Sequence, residues 1–206
     1  MLIFSAQSLV FIAVPKTGTT AIEMALRPKA DILFLKRRKH ITAQRFHNRF
    51  APFLSKEFGL ELERFAVIRE PLEQIRSWYR YRAREARQGS EFSTEGVSFD
   101  EFVRQVISDH PPPHAAIGSQ MGMLANGRDA LMVHPLFAHE TPPRLLGFLE
   151  SRFGEPITLK PKNVSPLVEA ELEPATLVRL KQARAAEFDL YARVRDADGY
   201  LKHQLS

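Results

Sequence analysis

Leu9-Val10-Phe11-Ile12-Ala13-Val14-Pro15-Lys16-Thr17-Gly18-Thr19-Thr20 decides how this chain is read. Six apolar residues, Leu9 to Val14, run straight into a short polar turn, and a helix-compatible segment, Ala21 to Leu26, begins where the turn ends. An unbroken apolar run that stops at a turn and becomes a helix is the pattern of a buried parallel strand, a tight loop and a helix N-terminus. The turn carries one Lys, one Gly and three Thr. The first N–H groups of a helix have no intrahelical partner, and the helix dipole favours negative charge there. Gly18 lets the backbone come close to an oxyanion, Lys16 supplies a point charge, and the Thr hydroxyls are further donors. The plainer reading is an ordinary polar turn. A Lys beside Gly and three hydroxyls, directly after a buried strand, favours an anion site.

Bulk properties agree with that bias. At 206 residues the chain is long enough for one domain, 1–206, with a real core. Its formal net charge of +5 and sequence pI of about 9.6 favour anionic ligands without choosing among them. There is no Cys, which excludes disulfides, thiolate metal sites and Cys nucleophiles. The longest apolar run, Leu9 to Val14, is far short of the roughly 20 residues of a membrane-spanning helix. The first residues lack the basic region of a signal peptide, so a cytoplasmic protein is expected.

Outward from the opening stretch, strands and helices alternate. Met1 to Phe4 reads as a short edge strand. Further strands are expected at Asp31 to Leu35, Arg64 to Arg69 and Leu131 to Val133. Thr42 caps a helix expected over Ala43 to Phe53, where Phe46, Phe50 and Phe53 recur at core-forming spacing. Pro71 suits the first position of a helix running to about Arg87, with Leu72, Ile75, Trp78 and Tyr79 as its apolar stripe. Ser98 and Glu101 form a capping box for Phe99 to Ser108. Pro142 opens a helix closed by Gly154, and Leu172 to Ala186 and Phe188 to Val194 complete the set. This order indicates an α/β fold, a three-layer αβα arrangement with a mainly parallel central sheet. Ligands of such sheets sit at the carboxyl ends of the strands, which gathers the residues after Val14, Leu35 and Ile68 on one edge.

The loop is not a Walker A sequence, because Lys16 precedes Gly18 and no Gly stands upstream, which disfavours Mg²⁺-nucleotide chemistry. Its order, Pro15-Lys16-Thr17-Gly18-Thr19-Thr20, resembles the 5′-phosphosulfate loop of sulfotransferases that use 3′-phosphoadenosine 5′-phosphosulfate (PAPS). Those enzymes carry an Arg at a later strand end and a Ser eight residues on for the 3′-phosphate. Here Arg69 and Ser77 stand at that spacing. Lys39-His40-Ile41-Thr42-Ala43, the segment Val133 to Glu140, Lys162-Asn163-Val164-Ser165 and Phe188-Asp189-Leu190-Tyr191 resemble segments of the carbohydrate-type (family 2) branch. Ala21 departs from the family, where many relatives have Ser.

The resemblance implies a P-loop-like phosphosulfate-binding strand-loop-helix and sulfuryl transfer from PAPS to an acceptor hydroxyl, on a carbohydrate or other small alcohol. It implies cofactor contacts from Pro15, Lys16, Thr17, Gly18, Thr19, Thr20, Arg69, Ser77 and Lys162. Charge building on the leaving oxygen would be met by Lys16, and no metal is demanded because the sulfuryl group carries less charge than a phosphoryl group. The acceptor needs a base. His40 is the first choice, matching the base position of some carbohydrate-type relatives, and Glu140 is the second. His47 reads as structural, and His110, His114, His134 and His139 as loop or strand-end residues without a role. Arg76, Arg80, Arg84 and Arg87 read as a solvated helix face. The alternatives are a nucleotide-binding phosphotransferase and a non-catalytic polyanion-binding protein. No nucleic-acid reading module is recognisable.

Overall fold

A computed structural model of the chain describes residues 1–84, 88–160 and 170–205, apart from the Arg37 side chain. Arg87, Lys162 and the Asn163 to Ser165 segment therefore lie outside the described residues. Strands β1 (Leu2–Phe4), β2 (Leu9–Ile12), β3 (Ile32–Leu33), β4 (Glu63–Ile68), β5 (Pro135–Ala138) and β6 (Tyr200–Lys202) form one sheet in the order β3-β1-β2-β4-β5-β6. Its centre is parallel: β4 pairs with β2 and with β5 in parallel register, Phe11 opposite Phe65 and Val67 opposite Phe137. β1 pairs antiparallel with both β2 and β3, and β6 pairs antiparallel with β5. The sheet is thus mixed rather than mainly parallel. The turn Ser5 to Ser8 is too short for a crossover and can only fold β1 back against β2. β1 is also interior, because the two-residue β3 takes the edge.

Alternation along the buried strands divides the core in two. Ile3, Val10, Ile12, Ala66 and Leu136 pack with Phe46 and Leu54, and with Leu190 and Val194 of α9 (Ala185–Asp196). Leu2, Phe11, Phe65 and Phe137 face the other way, onto Ile22 and Leu26 of α1 (Thr19–Leu26) and Leu145 and Leu149 of α7 (Pro142–Phe153). Helices therefore cover both faces. A third cluster joins α4 (Pro71–Arg82), α5 (Phe99–Val106) and α8 (Pro174–Ala183) through Ile75, Tyr79, Phe102 and Leu180.

The local signals act as their chemistry dictates. The Thr42, Ser98 and Glu70 side chains accept from the N–H groups of Arg45, Glu101 and Glu73, each capping a helix, and Gly154 closes α7 with φ 70°. Other expectations shift. The helix expected over Ala43 to Phe53 is α2 (Ala43–Arg45), a π-helical turn (Phe46–Phe50) and α3 (Ala51–Phe58). The π turn advances less per residue than an α-helix. It carries Phe53 past the core face, leaving it 55% exposed while Phe46 is fully buried. The expected strand Leu131 to Val133 is only a bridge between Leu131 and Ala125. The real strand begins at Pro135, and a proline is tolerated at a strand's first residue. α6 (Gln120–Leu124) and the three-residue β6, with two 3-10 turns at Arg27–Lys29 and Lys36–Arg38, complete the described elements. No helix among the described residues is long and apolar enough to cross a membrane.

A basic cavity at the carboxyl edge of the sheet

β2, β4 and β5 all deliver their C-termini to one edge. Two antiparallel steps bring β3 into the direction of β2 as well. A cavity of about 890 Å³ opens there. Pro15 to Ile22, Lys39, His40, Arg69, Ser77 and His139 all line it. Lys16, Lys39, Arg69, Arg80 and Arg84 are its charged side chains, and no carboxylate among the described residues lines it. Positive charge on the walls of one cleft focuses its field on an anionic ligand.

The loop after β2 is held through its carbonyls. The Thr17 hydroxyl donates to the Val14 carbonyl at 2.9 Å, Gln74 Nε2 to the Pro15 carbonyl at 3.0 Å, and an Arg69 guanidinium N–H to the Lys16 carbonyl at 3.5 Å. With these carbonyls taken, the N–H groups at the start of α1 are the backbone polar groups left to serve a ligand. Gly18 caps α1 with φ 76°, without a capping side chain among the described residues. Lys16 is also left-handed, at φ 67°, a conformation that costs a residue with a Cβ about 1–2 kcal/mol. Thr17 is buried, and its hydroxyl is committed to the fold. The loop's own side-chain donors are thus Lys16, Thr19 and Thr20.

Gly18 has a second reason to be glycine. A Cβ there would stand 3.2 Å from His139 Cε1 and 3.3 Å from its Nδ1. His139 follows β5 directly, its N–H donates to the Ile68 carbonyl at 2.8 Å, and burial first, then Arg69, pushes its pKa down. The sequence reading gave His139 no role. It reads as a loop or strand-end residue, and what no local signal marks is that the end of β5 comes to lie beside Gly18 and Arg69. His40 comes in from the β3 side. Its Nδ1–H donates to the Ala13 carbonyl at 2.7 Å, and burial lowers its pKa. That bond fixes the tautomer and leaves Nε2 as an acceptor on a residue that lines the cavity.

The far wall is α4. Its first turn follows Arg69, and Ser77, Arg80 and Tyr81 stand on the lining face at helical spacing, with Trp78 beside them; α4 stops at Arg82, short of the expected end near Arg87, and Arg84 lines the cavity from just beyond it. Arg80 and Arg84 therefore belong to the cavity and not to a solvated face. Arg76 departs from it, ion-paired to Glu73 and stacked 5.2 Å from the Phe99 ring. Lys16 Nζ lies 3.3 Å from the Tyr81 ring centroid and 4.7 Å from that of Trp78. Arg69 is 3.8 Å from the Glu73 carboxylate, and Lys39 is 3.5 Å from that of Glu23. The buried Nε atoms of Arg69 and Arg80 and the Trp78 indole N–H have no hydrogen-bond partner among the described residues. Donors of this kind are costly unless a ligand meets them.

Glu140 is exposed and does not line the cavity. It accepts from the Glu70 N–H at 3.1 Å and pairs with the Tyr191 hydroxyl, whose pKa is pushed up to about 12 by burial and by Glu140. It ties the entry of α4 to α9. His47 pairs with the Arg64 guanidinium at 3.0 Å, His134 Nδ1 accepts from the Arg64 N–H at 2.9 Å, and His114 bonds Gln105 at 2.5 Å. All three serve the fold. No group of three His, Cys, Asp or Glu residues poised for a metal occurs among the described residues. Comparisons with protein-family models, with curated proteins and with solved structures return no match.

Proposed function

We propose that the chain is a PAPS-dependent sulfotransferase that moves a sulfuryl group to an acceptor hydroxyl, on a carbohydrate or other small alcohol. One observation carries the reading. The Lys16 loop, Arg69 and Ser77, far apart in sequence, line one cavity whose charged walls are entirely basic among the described residues. The donor set suits a ligand with phosphate or sulfate at both ends: Lys16, Thr19 and Thr20 with the start of α1 at one, Arg69 and Ser77 at the other. The Arg69 and Arg80 Nε atoms and the Trp78 N–H, without partners among the described residues, are further donors for it. The cavity volume is within the range of sites for nucleotide-sized ligands.

PAPS, when bound, supplies the sulfuryl group and a bisphosphate leaving group. Lys16 meets the charge that develops on the leaving oxygen, together with the N–H groups at the α1 start. The loop carbonyls, pinned by Thr17, Gln74 and Arg69, keep those N–H groups in place in advance of the reaction. His40, neutral and held by Ala13, takes the acceptor proton on Nε2. Arg69 and Ser77 hold the 3′-phosphate and fix the cofactor in line.

Thermal unfolding tests this reading. Adenosine 3′,5′-bisphosphate at about 100 times its Kd is expected to add about 2.7 kcal/mol and raise Tm by roughly 5–10 °C. ATP with Mg²⁺ is expected to raise it far less. The reverse order would identify a phosphotransferase, and anion binding that vanishes with salt and survives Lys16→Ala would identify a polyanion-binding protein. Arg69→Ala is expected to weaken bisphosphate binding about 10- to 100-fold, through loss of charge-assisted bonds, measured by titration calorimetry. Unchanged affinity removes Arg69 from the site.

A further inference from the structure

Arg69 is where the central sheet stops. The last β4–β5 pair is Ile68 with Ala138, and the Ile68 carbonyl takes the His139 N–H. Beyond that point the Arg69 backbone has no neighbouring strand among the described residues, and a buried peptide group needs partners for both N–H and C=O. One side chain provides both. Gln120 Oε1 accepts from the Arg69 N–H at 2.9 Å, and Gln120 Nε2 donates to the Arg69 carbonyl at 2.8 Å. Gln120 is fully buried at the start of α6, and its amide occupies the place of the missing strand.

The orientation of that amide is also imposed. Nε2 donates to Glu187 Oε1 at 2.9 Å, and Glu187 is 2% exposed. The other Glu187 oxygen takes an N–H of Arg184 at 3.3 Å, and the same Arg184 nitrogen donates to the Gly118 carbonyl at 2.9 Å. A carboxylate can only accept and a peptide N–H can only donate. Flipping the amide would set oxygen against carboxylate and NH₂ against N–H. Arg184 thus holds Glu187 and the residue before Ser119, Glu187 orients Gln120, and Gln120 holds the backbone from which the Arg69 side chain reaches the cavity.

We propose that Gln120 is the positioning residue of Arg69, and that anion binding at the Arg69 end of the cavity depends on Gln120 through this contact. The proposal rests on the reading of that end as an oxyanion site. It does not touch a ligand itself, since it does not line the cavity. Removing it leaves the Arg69 N–H, the Arg69 carbonyl and a Glu187 oxygen buried without their partner. The strand end is then free to shift, and a displacement near 1 Å is enough to spoil bidentate contact.

The test compares affinities for adenosine 3′,5′-bisphosphate and adenosine 5′-monophosphate in the wild type, Gln120→Ala, Arg69→Ala and the double variant. Gln120→Ala is expected to lower bisphosphate affinity about tenfold and monophosphate affinity several-fold less, because Arg69 reaches the 5′-end loop only through its 3.5 Å bond to the Lys16 carbonyl, which Thr17 and Gln74 help to hold. The double variant is expected to be no weaker than Arg69→Ala, because the two residues act as one unit. A merely structural role lowers both affinities alike, and that result overturns the proposal, as do two unchanged affinities or two additive losses. Should Gln120→Ala fail to fold, Gln120→Asn keeps the amide one methylene short of its partners and gives the same pattern. Inorganic pyrophosphate is titrated into the same four proteins. If the wild type binds pyrophosphate but not the bisphosphate, the sulfotransferase reading fails, and the coupling measured with pyrophosphate decides the Gln120 proposal. Binding of neither overturns both.

Discussion

Lys16→Ala is expected to lower the rate of the proposed sulfuryl transfer by about 10²- to 10³-fold, the cost of removing one donor aimed at developing charge. The backbone does not mask the effect. Lys16 is left-handed at φ 67°, and Ala at that position meets the same strain as Lys. The ammonium group lies over the faces of Tyr81 and Trp78, at 3.3 and 4.7 Å from the ring centroids. Such contacts are worth about 0.5–2 kcal/mol. The same contacts show that the ammonium group rests against α4, the helix that carries Ser77, and so within the cavity rather than out in solvent. Single-turnover transfer from sulfur-labelled PAPS, with a melting curve beside it, separates the two effects. A large loss of rate with a small change in Tm is the expected pair. Lys16→Ala with near-normal turnover takes Lys16 out of the mechanism. Lys16→Arg is not a conservative control, because the planar fork replaces a compact charge and would stack differently on the two rings.

The parts of this site that could be read from the sequence are those whose signal is local. The run Leu9 to Val14, the break at Pro15 and the immediate helix describe strand, loop and helix start within a dozen residues, and the structure builds them there. Pro71 after Arg69, Ser98 before Phe99 and Gly154 after Phe153 mark helix ends by the same local chemistry. The parts that could not be read are long-range. Gln120 serves the backbone of Arg69 from 51 residues away, and Gln74 serves Pro15 from 59. Nothing in the neighbourhood of either glutamine marks it as more than a polar residue. Arg80 and Arg84 repeat at a spacing that suits a solvated face equally well, and only the position of α4 against the sheet edge decides between the two. The π turn at Phe46 to Phe50 has no sequence signature of its own, so Phe53 kept a core spacing that the helix does not honour.

His40→Ala is expected to lower kcat about 10²- to 10³-fold while changing bisphosphate affinity within about twofold, the behaviour of a general base that does not hold the cofactor. The pH profile carries the sharper test. Burial depresses the His40 pKa from the ordinary 6.5, with Lys39 adding to the effect and the Ala13 hydrogen bond and Glu23 opposing it. The competent form is the neutral imidazole, so a lowered pKa extends activity toward acid. The rate is expected to climb with pH, to reach half its plateau below pH 6.5, and to stay flat through neutrality. In His40→Ala the plateau falls and this acid limb disappears. Among the described residues His139 is the neighbour that could imitate it, because it lines the same cavity and burial depresses its pKa too. The geometry separates the two. The Ala13 bond commits His40 Nδ1 and leaves Nε2 for the acceptor, whereas the His139 ring is packed against Gly18 at the loop itself. His139→Ala is therefore expected to keep the limb, with its main effect on how the loop holds the cofactor. A His40→Ala enzyme with wild-type rate and an unchanged acid limb assigns the base to His139. Glu140 cannot inherit the role, because it lies outside the cavity with the Glu70 N–H and the Tyr191 hydroxyl as its partners.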